Sequence, residues 1–277
     1  MDSEEIKSAV RQHYARAAAG GGCCGPATPG CCGTSAPAQI SRAVGYSEAE
    51  LAAVPDGANL GLGCGNPVAL AALREGDVVV DLGSGGGFDC FLAARRVGAS
   101  GRVIGVDMTP EMIAKARGNA ARDGAENVEF RLGEIEYLPV ADASADMVIS
   151  NCVINLSTDK GQVFREALRV LKPGGRLMVS DLVLLRPLPD SVRRSVEMYA
   201  GCISGAMLEA DYLAAMRTAG FVDVTVVASS TYPIDTINPD ASEGALLAGT
   251  GIPAEDLRAA ADAVASVKVS ASKPAAQ

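Results

Sequence analysis

Asp81-Leu82-Gly83-Ser84-Gly85-Gly86-Gly87 is a glycine-rich turn that decides the fold. It follows the apolar run Val78-Val79-Val80 and precedes an amphipathic segment over 88–97. Glycine lets a backbone turn tightly and approach a ligand closely, and a strand, such a turn and a helix form the nucleotide-binding unit of open α/β sheets. A dinucleotide fingerprint would need glycine or alanine at the sixth position counted from Gly83, where Phe88 stands.

Apolar runs and amphipathic segments alternate outward from this turn. Predicted strands are 78–80, 103–106, 128–130, 147–149 and 176–180, and predicted helices are 88–97, 110–123 and 160–171. This alternation predicts an α/β fold, a doubly wound and mostly parallel sheet with helices on both faces. Near the end, 222–227 and 265–270 are β-rich and are predicted to pair as antiparallel strands. Residues 273–277 have no apolar pattern and are expected to fray.

The N-terminal part of the chain differs from this alternating region. Helices are predicted over 3–18, over 47–53 with Ser47 as its cap, and over 68–73. A loop rich in glycine and proline carries two pairs of adjacent cysteines, at positions 23–24 and 31–32. We therefore divide the chain into an N-terminal helix and Cys/Gly-rich loop (1–60), a ligand-binding α/β domain (61–200) and a C-terminal part (201–277).

Composition and charge exclude several classes of protein. The 277 residues carry a net charge of −9 with a pI near 4.7, which argues against nucleic-acid partners. No apolar run approaches the roughly 18 residues of a membrane span. The acidic start, Met1 to Glu5, does not resemble a signal peptide, so we expect a cytoplasmic protein. In a reducing cytosol the eight cysteines are expected to be ligands or redox-active thiols rather than a disulfide framework.

The D-x-G-x-G-x-G pattern at 81–87 resembles the methionine-end loop of S-adenosylmethionine methyltransferases, which implies a Rossmann-like class I fold with N-terminal and C-terminal appendages. Asp107 ends the second strand, 24 residues after Gly83, and is placed to accept both ribose hydroxyls. The resemblance implies that Glu134 and Ile135, just past the third strand, hold the adenine. The predicted cofactor-binding residues are Asp81, Gly83, Gly85, Asp107, Met108, Glu134, Ile135 and Asn151.

Three cysteines flank this region. Cys64 lies in a loop before the first strand, Cys152 directly follows the fourth, and Cys202 follows the fifth. Spacing alone does not show that they converge, and a free cysteine is also a common core residue. Cys90, on the helix after the glycine turn, is assigned to packing, and the single histidine, His13, to the surface.

The segments around these three cysteines resemble arsenite methyltransferases. The match covers roughly residues 35–225, and the run 151–156, Asn-Cys-Val-Ile-Asn-Leu, is its most specific part. The resemblance implies that Cys64, Cys152 and Cys202 are the catalytic residues that bind As(III), and that methyl groups pass to it from S-adenosylmethionine. Soft thiolates suit a soft, thiophilic centre. Implied partners are arsenite, methylarsenite and a thiol reductant such as glutathione or thioredoxin.

Other functions remain open at this point. A carbon- or oxygen-methylating enzyme acting on a quinone or sterol would share the cofactor site but leave the cysteines unexplained. Cys23, Cys24, Cys31 and Cys32 could form a metal-sensing or zinc module, although adjacent cysteines are poorer tetrahedral clamps than C-x-x-C pairs. Their loop could also capture arsenic, or be a simple linker. Family members often carry an acidic residue before the third cysteine, where this chain has Gly201.

Overall fold

The computed structural model describes residues 3–20, 36–67, 72–231 and 251–276. The helices are α1 (Ser3–Ala18), α2 (Ala36–Ala43), α3 (Glu48–Ala52), α4 (Phe88–Val97), α5 (Pro110–Asp123), α6 (Lys160–Val170), α7 (Asp190–Arg193), α8 (Val196–Ala200), α9 (Glu209–Thr218) and α10 (Ala254–Ala261). The strands are β1 (Val78–Leu82), β2 (Arg102–Asp107), β3 (Val128–Leu132), β4 (Ala145–Asn151), β5 (Leu171–Leu184), β6 (Val222–Thr231) and β7 (Val264–Ser272).

The seven strands form one sheet in the order β3-β2-β1-β4-β5-β7-β6. Strands β1 to β5 pair in parallel, whereas β7 is antiparallel to both β5 and β6. The predicted α/β fold with a mostly parallel, doubly wound sheet is therefore confirmed. The predicted antiparallel pairing of the last two strands is confirmed as well.

Helices cover both faces of the sheet, which explains why the central strands are apolar throughout. On one face, Phe91 of α4 and Ile113 of α5 pack against the sheet. On the other face, Phe164 of α6 and Tyr212 of α9 do so. Within the part of the chain that the structure describes, no helix is long and apolar enough to span a bilayer.

Two of the predicted N-terminal helices are confirmed, and one lies largely outside the described residues. Helix α1 has the predicted bounds, and α3 begins after the predicted cap, Ser47. The Ser47 side chain accepts a hydrogen bond from the backbone N–H of Glu50, whose carboxylate accepts one from the backbone N–H of Ser47. The predicted helix over 68–73 falls mostly on residues that are not described, as do all four cysteines of the paired-cysteine loop.

Two expectations for the C-terminal half are corrected. Strand β5 begins at Leu171, before the predicted 176, because residues 172–175 form a bulge between two stretches of pairing with β4. The predicted fraying is wrong at Lys273. Its backbone N–H donates to the carbonyl of Gly175 at 2.8 Å, and its ammonium group donates to the carbonyls of Leu168 and Leu171 at 2.8 and 2.7 Å. These carbonyls lie in and directly after the last turn of α6, where a cation is favourable.

Strand register brings several chain segments to one edge of the sheet. Leu82, the last residue of β1, is opposite Val106 of β2 and Ser150 of β4, and Asn151 is opposite Ser180 of β5. The glycine turn and the segments after β2 and β4 therefore start side by side. The carboxyl edge of a parallel sheet is where open α/β proteins bind their ligands.

Candidate active site

A cavity of about 1100 Å³, open solvent at its mouth included, lies at this carboxyl edge. We call it the main cavity. Asp81, the glycine turn, Asp107 and Asn151 line it from the sheet. Helix α1 and residues 58–63 also line it, from elsewhere in the chain.

The glycine turn at the main cavity needs glycine for two different reasons. Gly83 and Gly85 have φ angles of +67° and +51°, a region that side chains disfavour. A Cβ atom on Gly83 would overlap the side chain of Val153, whereas a Cβ on Gly85 would meet nothing within 4 Å. Gly83 thus permits close packing, and Gly85 leaves its backbone open to a ligand in the cavity.

Asp107 is held where β2 ends. Its Oδ2 accepts a hydrogen bond from the backbone N–H of Gly85 at 3.0 Å, and its Oδ1 accepts one from the N–H of Thr109 at 2.8 Å. Burial raises the pKa of Asp107, against the effect of these backbone donors. The Thr109 side chain is a further hydrogen-bond partner of this carboxylate, so one of its about four acceptor positions remains for a ligand hydroxyl. Met108 lines the cavity next to it.

Asp81 and Asp89 place two buried carboxyl groups on the main cavity. Burial, with the nearby charge of Asp89, raises the pKa of Asp81 well above its usual range. The Cys90 thiol donates to Asp81 Oδ2 at 3.2 Å. Cys90 is fully buried, which confirms its assignment to packing, and His13 is exposed as expected.

A buried hydrogen-bond network links the main cavity to the loop that carries Cys64. Asp89 accepts from the hydroxyl of Tyr46 at 2.6 Å and from the amide Nδ2 of Asn151 at 3.1 Å. Asn151 Nδ2 also donates to the Tyr46 oxygen at 2.9 Å, and its Oδ1 accepts from the backbone N–H of Cys64 at 3.2 Å. Asn151 therefore connects a cavity wall to the first predicted arsenic ligand.

The structure does not bring the Glu134 side chain to the cavity wall. Its carboxylate accepts a hydrogen bond from Lys7 of α1 at 2.6 Å and lies 3.6 Å from the guanidinium of Arg11. Ile135 and Glu136 line the cavity instead. Glu134 thus anchors α1 beside the cavity, and Ile135 is the member of the predicted adenine pair that lines it.

Cys64 and Cys152 lie together at the same sheet edge. The structure pairs them as a disulfide, with the sulfur atoms 2.50 Å and the Cα atoms 5.5 Å apart. Cys152 also lines the main cavity. Added Cβ atoms on Gly63 and Gly65 would overlap Asn151 and Ser180, so the loop can bring Cys64 this close only with glycine on both sides.

Cys202 joins the pair through the backbone. Its thiol donates to the carbonyl oxygen of Cys152 at 2.8 Å, and all three predicted cysteines belong to one buried cluster with Leu182. Burial raises the pKa of the Cys202 thiol strongly, and the negative charge of Asp181 adds to the effect. The structure therefore brings the three predicted arsenic ligands together, which spacing alone could not show.

The backbone at two of these cysteines is unusual. Among the described residues, four that are not glycine have a positive φ, and they include Cys152 at +59° and Cys202 at +65°. Such conformations cost free energy and concentrate at functional sites. Two of the three predicted ligands are thus held in a backbone conformation that side chains usually avoid.

Asp181 lies beside the cysteine pair and was not among the predicted site residues. One carboxylate oxygen of Asp181 and the sulfur atoms of Cys64 and Cys152 all lie within 4.8 Å of one another. Asp181 is fully buried, and burial raises its pKa to about 7, although the backbone N–H of Leu182 and the charge of Lys160 act in the opposite direction.

Sequence reasoning missed Tyr46, Asp89 and Asp181, but two of them left a signal. Asp89 is the second residue of the helix that follows the glycine turn, and Asp181 is the single charged residue in the run 177–184, Leu-Met-Val-Ser-Asp-Leu-Val-Leu. A carboxylate in a continuously buried strand is costly unless it has partners or a role. Tyr46 left no such signal, because its partner Asp89 lies 43 residues away.

The sheet topology together with the main cavity defines the Rossmann-like methyltransferase class. A family model described as a methyltransferase domain matches residues 73–220. Phosphoethanolamine N-methyltransferase 2 from Haemonchus contortus, solved with S-adenosyl-L-methionine, shares the fold at 21% identity and a TM-score of 0.59, over 76% of this chain and 53% of that one.

Proteins with higher sequence identity to this chain identify the family within this class. The chain is 34% identical to a structure from Chlamydomonas reinhardtii described as an arsenic(III) S-adenosylmethionine methyltransferase, covering 85% of this chain and 73% of that one with a TM-score of 0.61. Over 81% of the present chain, it is 51% identical to an arsenite methyltransferase of Halobacterium salinarum. Over 62% of the present chain, it is 36% identical to the arsenite methyltransferase of Homo sapiens. The chain belongs to the arsenite methyltransferase family, whose cofactor is S-adenosylmethionine. It spans 59% and 48% of the length of the last two relatives.

Proposed function

We propose that this protein transfers methyl groups from S-adenosylmethionine to As(III) bound by its own thiolates. The observation that carries the proposal is the position of Cys152, which lines the main cavity while its sulfur contacts that of Cys64 and its carbonyl accepts the Cys202 thiol. Cys152 thus belongs both to the cavity that would hold the cofactor and to the group of soft sulfur ligands. A quinone or sterol methyltransferase has no use for this cysteine cluster.

Residues of the main cavity fit the cofactor in three places. Asp107 would accept a ribose hydroxyl, Ile135 would contact the adenine, and the buried carboxyl groups of Asp81 and Asp89 suit a positively charged amino-acid end. The glycine turn provides backbone without side chains beside them. When bound, S-adenosylmethionine supplies an electrophilic methyl group on a sulfonium centre.

The acceptor residues would hold As(III) with its lone pair available as the nucleophile. Three thiolates suit a trigonal-pyramidal As(III) centre, because soft sulfur ligands select soft centres. Transfer to a lone pair needs proximity and alignment but no proton removal from the acceptor. The exposed position of the single histidine, His13, agrees with a reaction without a histidine base.

The partners follow from this chemistry. Arsenite would be the first acceptor and methylarsenite the second. Methyl transfer to the lone pair oxidises As(III) to As(V), so methylarsenite would form only after a two-electron reduction, and the pairing of Cys64 with Cys152 also requires two electrons to open. A thiol reductant such as glutathione or thioredoxin would supply these electrons. These reductants and the reducing conditions that keep thiols available belong to the cytoplasm, where we place the protein.

Arsenic speciation tests the proposal directly. Purified protein is incubated with arsenite, S-adenosylmethionine and a thiol reductant, and the arsenic species are separated and quantified. We expect methylated arsenic that requires both the cofactor and the reductant. A parallel incubation with a quinone acceptor separates the alternative: methylated quinone without methylated arsenic would contradict the proposal.

A further inference from the structure

Cys64, Cys152 and Asp181 form a compact group of two sulfurs and one oxygen. One carboxylate oxygen of Asp181 and both sulfur atoms lie within 4.8 Å of one another, and all three residues are buried. The Cys202 thiol does not belong to this group, since it donates to the Cys152 carbonyl at 2.8 Å. The third group next to the cysteine pair is therefore a carboxyl oxygen rather than a third sulfur.

Asp181 has an acceptor position that its hydrogen bonds leave available. Its Oδ1 accepts from the amide Nδ2 of Asn155 and the backbone N–H of Leu182, both at 2.9 Å, and its Oδ2 accepts from the hydroxyl of Tyr212 at 3.2 Å. A carboxylate offers about four acceptor positions, so one on Oδ2 remains. Because a buried acceptor without a partner costs free energy, this position favours a ligand that donates a hydrogen bond.

The neighbouring cation does not fill this position. Lys160 acts on Asp181 through its charge, but its ammonium group donates to the carbonyl of Ser157 at 2.9 Å. The carboxyl group thus faces the cysteine pair with an acceptor position to spare. The chemistry that fits is a hydroxyl group on an atom held by Cys64 and Cys152.

Arsenite carries such a hydroxyl. In neutral water it is As(OH)3, and each thiol that binds forms one S–As bond while one As–O bond breaks, the thiol proton leaving with the hydroxide as water. After Cys64 and Cys152 have reacted in their reduced form, one As–OH group remains. It is a hydrogen-bond donor until a third thiol displaces it as water.

We propose that Asp181 accepts the hydrogen bond of this remaining As–OH group and so determines specificity for inorganic arsenite at the two-thiolate stage, before Cys202 binds. The inference rests on the proposed function and adds a residue to its acceptor site. Methylarsenite has two hydroxyl groups, and two thiols displace both. Asp181 should therefore matter for the first methylation and not for the second.

The test variant is Asp181→Asn. The new amide can keep its oxygen toward Asn155 and Leu182 and turn its NH2 group toward Tyr212, whose hydroxyl can rotate to accept. The substitution thus keeps the oxygen that Asn155 and Leu182 contact and replaces the oxygen that has the remaining acceptor position by a donor. We expect kcat/KM for arsenite to fall by about 10- to 100-fold, the range for groups that orient a metal's ligands, with kcat/KM for methylarsenite unchanged. Tyr212→Phe is the matched control, because it removes a partner of the same oxygen but leaves the acceptor, so any effect should be equal on both substrates.

A second readout does not depend on methylation. Equilibrium dialysis with elemental analysis measures arsenite binding to reduced Cys202→Ser protein, in which the two-thiolate complex cannot proceed, and Asp181→Asn should lower this affinity by a similar factor. Equal losses on both substrates, or unchanged values in both assays, would overturn the inference. Wild-type protein that methylates neither arsenical would refute the proposed function alone, and the binding assay would still decide the role of Asp181.

Discussion

The cofactor half of the site and the acceptor half are built in different ways. The cofactor half centres on two short segments, the turn at 81–87 and the end of β2 at 107–109, where glycines leave backbone without side chains at the cavity. The acceptor half gathers Cys64, Cys152 and Cys202 from three distant segments and buries them. Backbone shape therefore determines one half and tertiary contacts between side chains determine the other, so single substitutions should separate the two functions.

The largest expected effect is in the acceptor half. Cys152→Ser should reduce methylation of arsenite and methylarsenite by more than about 100-fold, beyond the usual range for residues that only orient a ligand, because a serine oxygen is a poor ligand for a soft centre. Cys202→Ser should behave in the same way. Calorimetry with S-adenosylhomocysteine should give the wild-type affinity for both variants. Full activity of Cys152→Ser would refute arsenic as the acceptor.

Cys64→Ser should distinguish the role of Cys64 in the acceptor half from the roles of Cys152 and Cys202. Inorganic As(III) has three exchangeable positions, whereas methylarsenite has two, so only the first substrate can use all three thiols. We expect a loss of about 10- to 100-fold on arsenite and a much smaller loss on methylarsenite. The difference is measured by comparing the methylation rates of the variant on arsenite and on methylarsenite with those of the wild type. Equal losses would show that Cys64 serves both methylations, against this division.

The same contrast explains what could be predicted from sequence. The parallel sheet, the glycine turn and the position of Asp107 follow from local patterns, strands and turns that the chain specifies over a few residues. Convergence of Cys64, Cys152 and Cys202 depends on loop paths between strands, and no spacing rule gives it. It came from a family resemblance.

Glu134 and Asp181 show what local sequence patterns could not predict. Glu134 lies just past β3 as predicted, but its carboxylate pairs with Lys7, 127 residues away, and does not line the main cavity. Asp181 lies one residue past the predicted strand 176–180 and was not predicted as a site residue, and its position beside Cys64 and Cys152 depends on segments that reach it from elsewhere in the chain. In both cases a tertiary contact, absent from the local pattern, decides what the side chain does.

Asp107→Ala tests the cofactor half with a smaller effect. The loss of the hydrogen bond between a carboxylate and a ribose hydroxyl should weaken cofactor binding by about 1–3 kcal/mol, or about 5- to 150-fold. Arsenite binding to the reduced protein should not change, because Asp107 is not part of the cysteine cluster. Calorimetry measures the first and equilibrium dialysis the second. Unchanged cofactor affinity would remove Asp107 from the site.

Asp89 should give the smallest effect, which we expect as a pH dependence of cofactor binding. Burial raises its pKa to about 6, against the hydrogen bonds from Tyr46 and Asn151, which lower it. An ionised carboxylate on the cavity wall attracts the positively charged cofactor, and a protonated one does not. As the pH falls from 7.5 through 6 to 5, a proton on Asp89 should weaken cofactor binding by up to about tenfold.

Two variants show whether Asp89, rather than Asp81 or Asp107 on the same cavity wall, binds the proton that weakens cofactor binding. Asp89→Asn cannot ionise, so its affinity should be low at pH 7.5 and should change less between pH 7.5 and 5. Tyr46→Phe removes a donor to the Asp89 carboxylate, which raises the Asp89 pKa further and should move the loss of affinity to higher pH. Calorimetric titrations across this range measure both. If Asp89→Asn retains the wild-type pH dependence, another carboxyl group of the wall binds the proton, and Asp89 serves only to hold Asn151 toward Cys64.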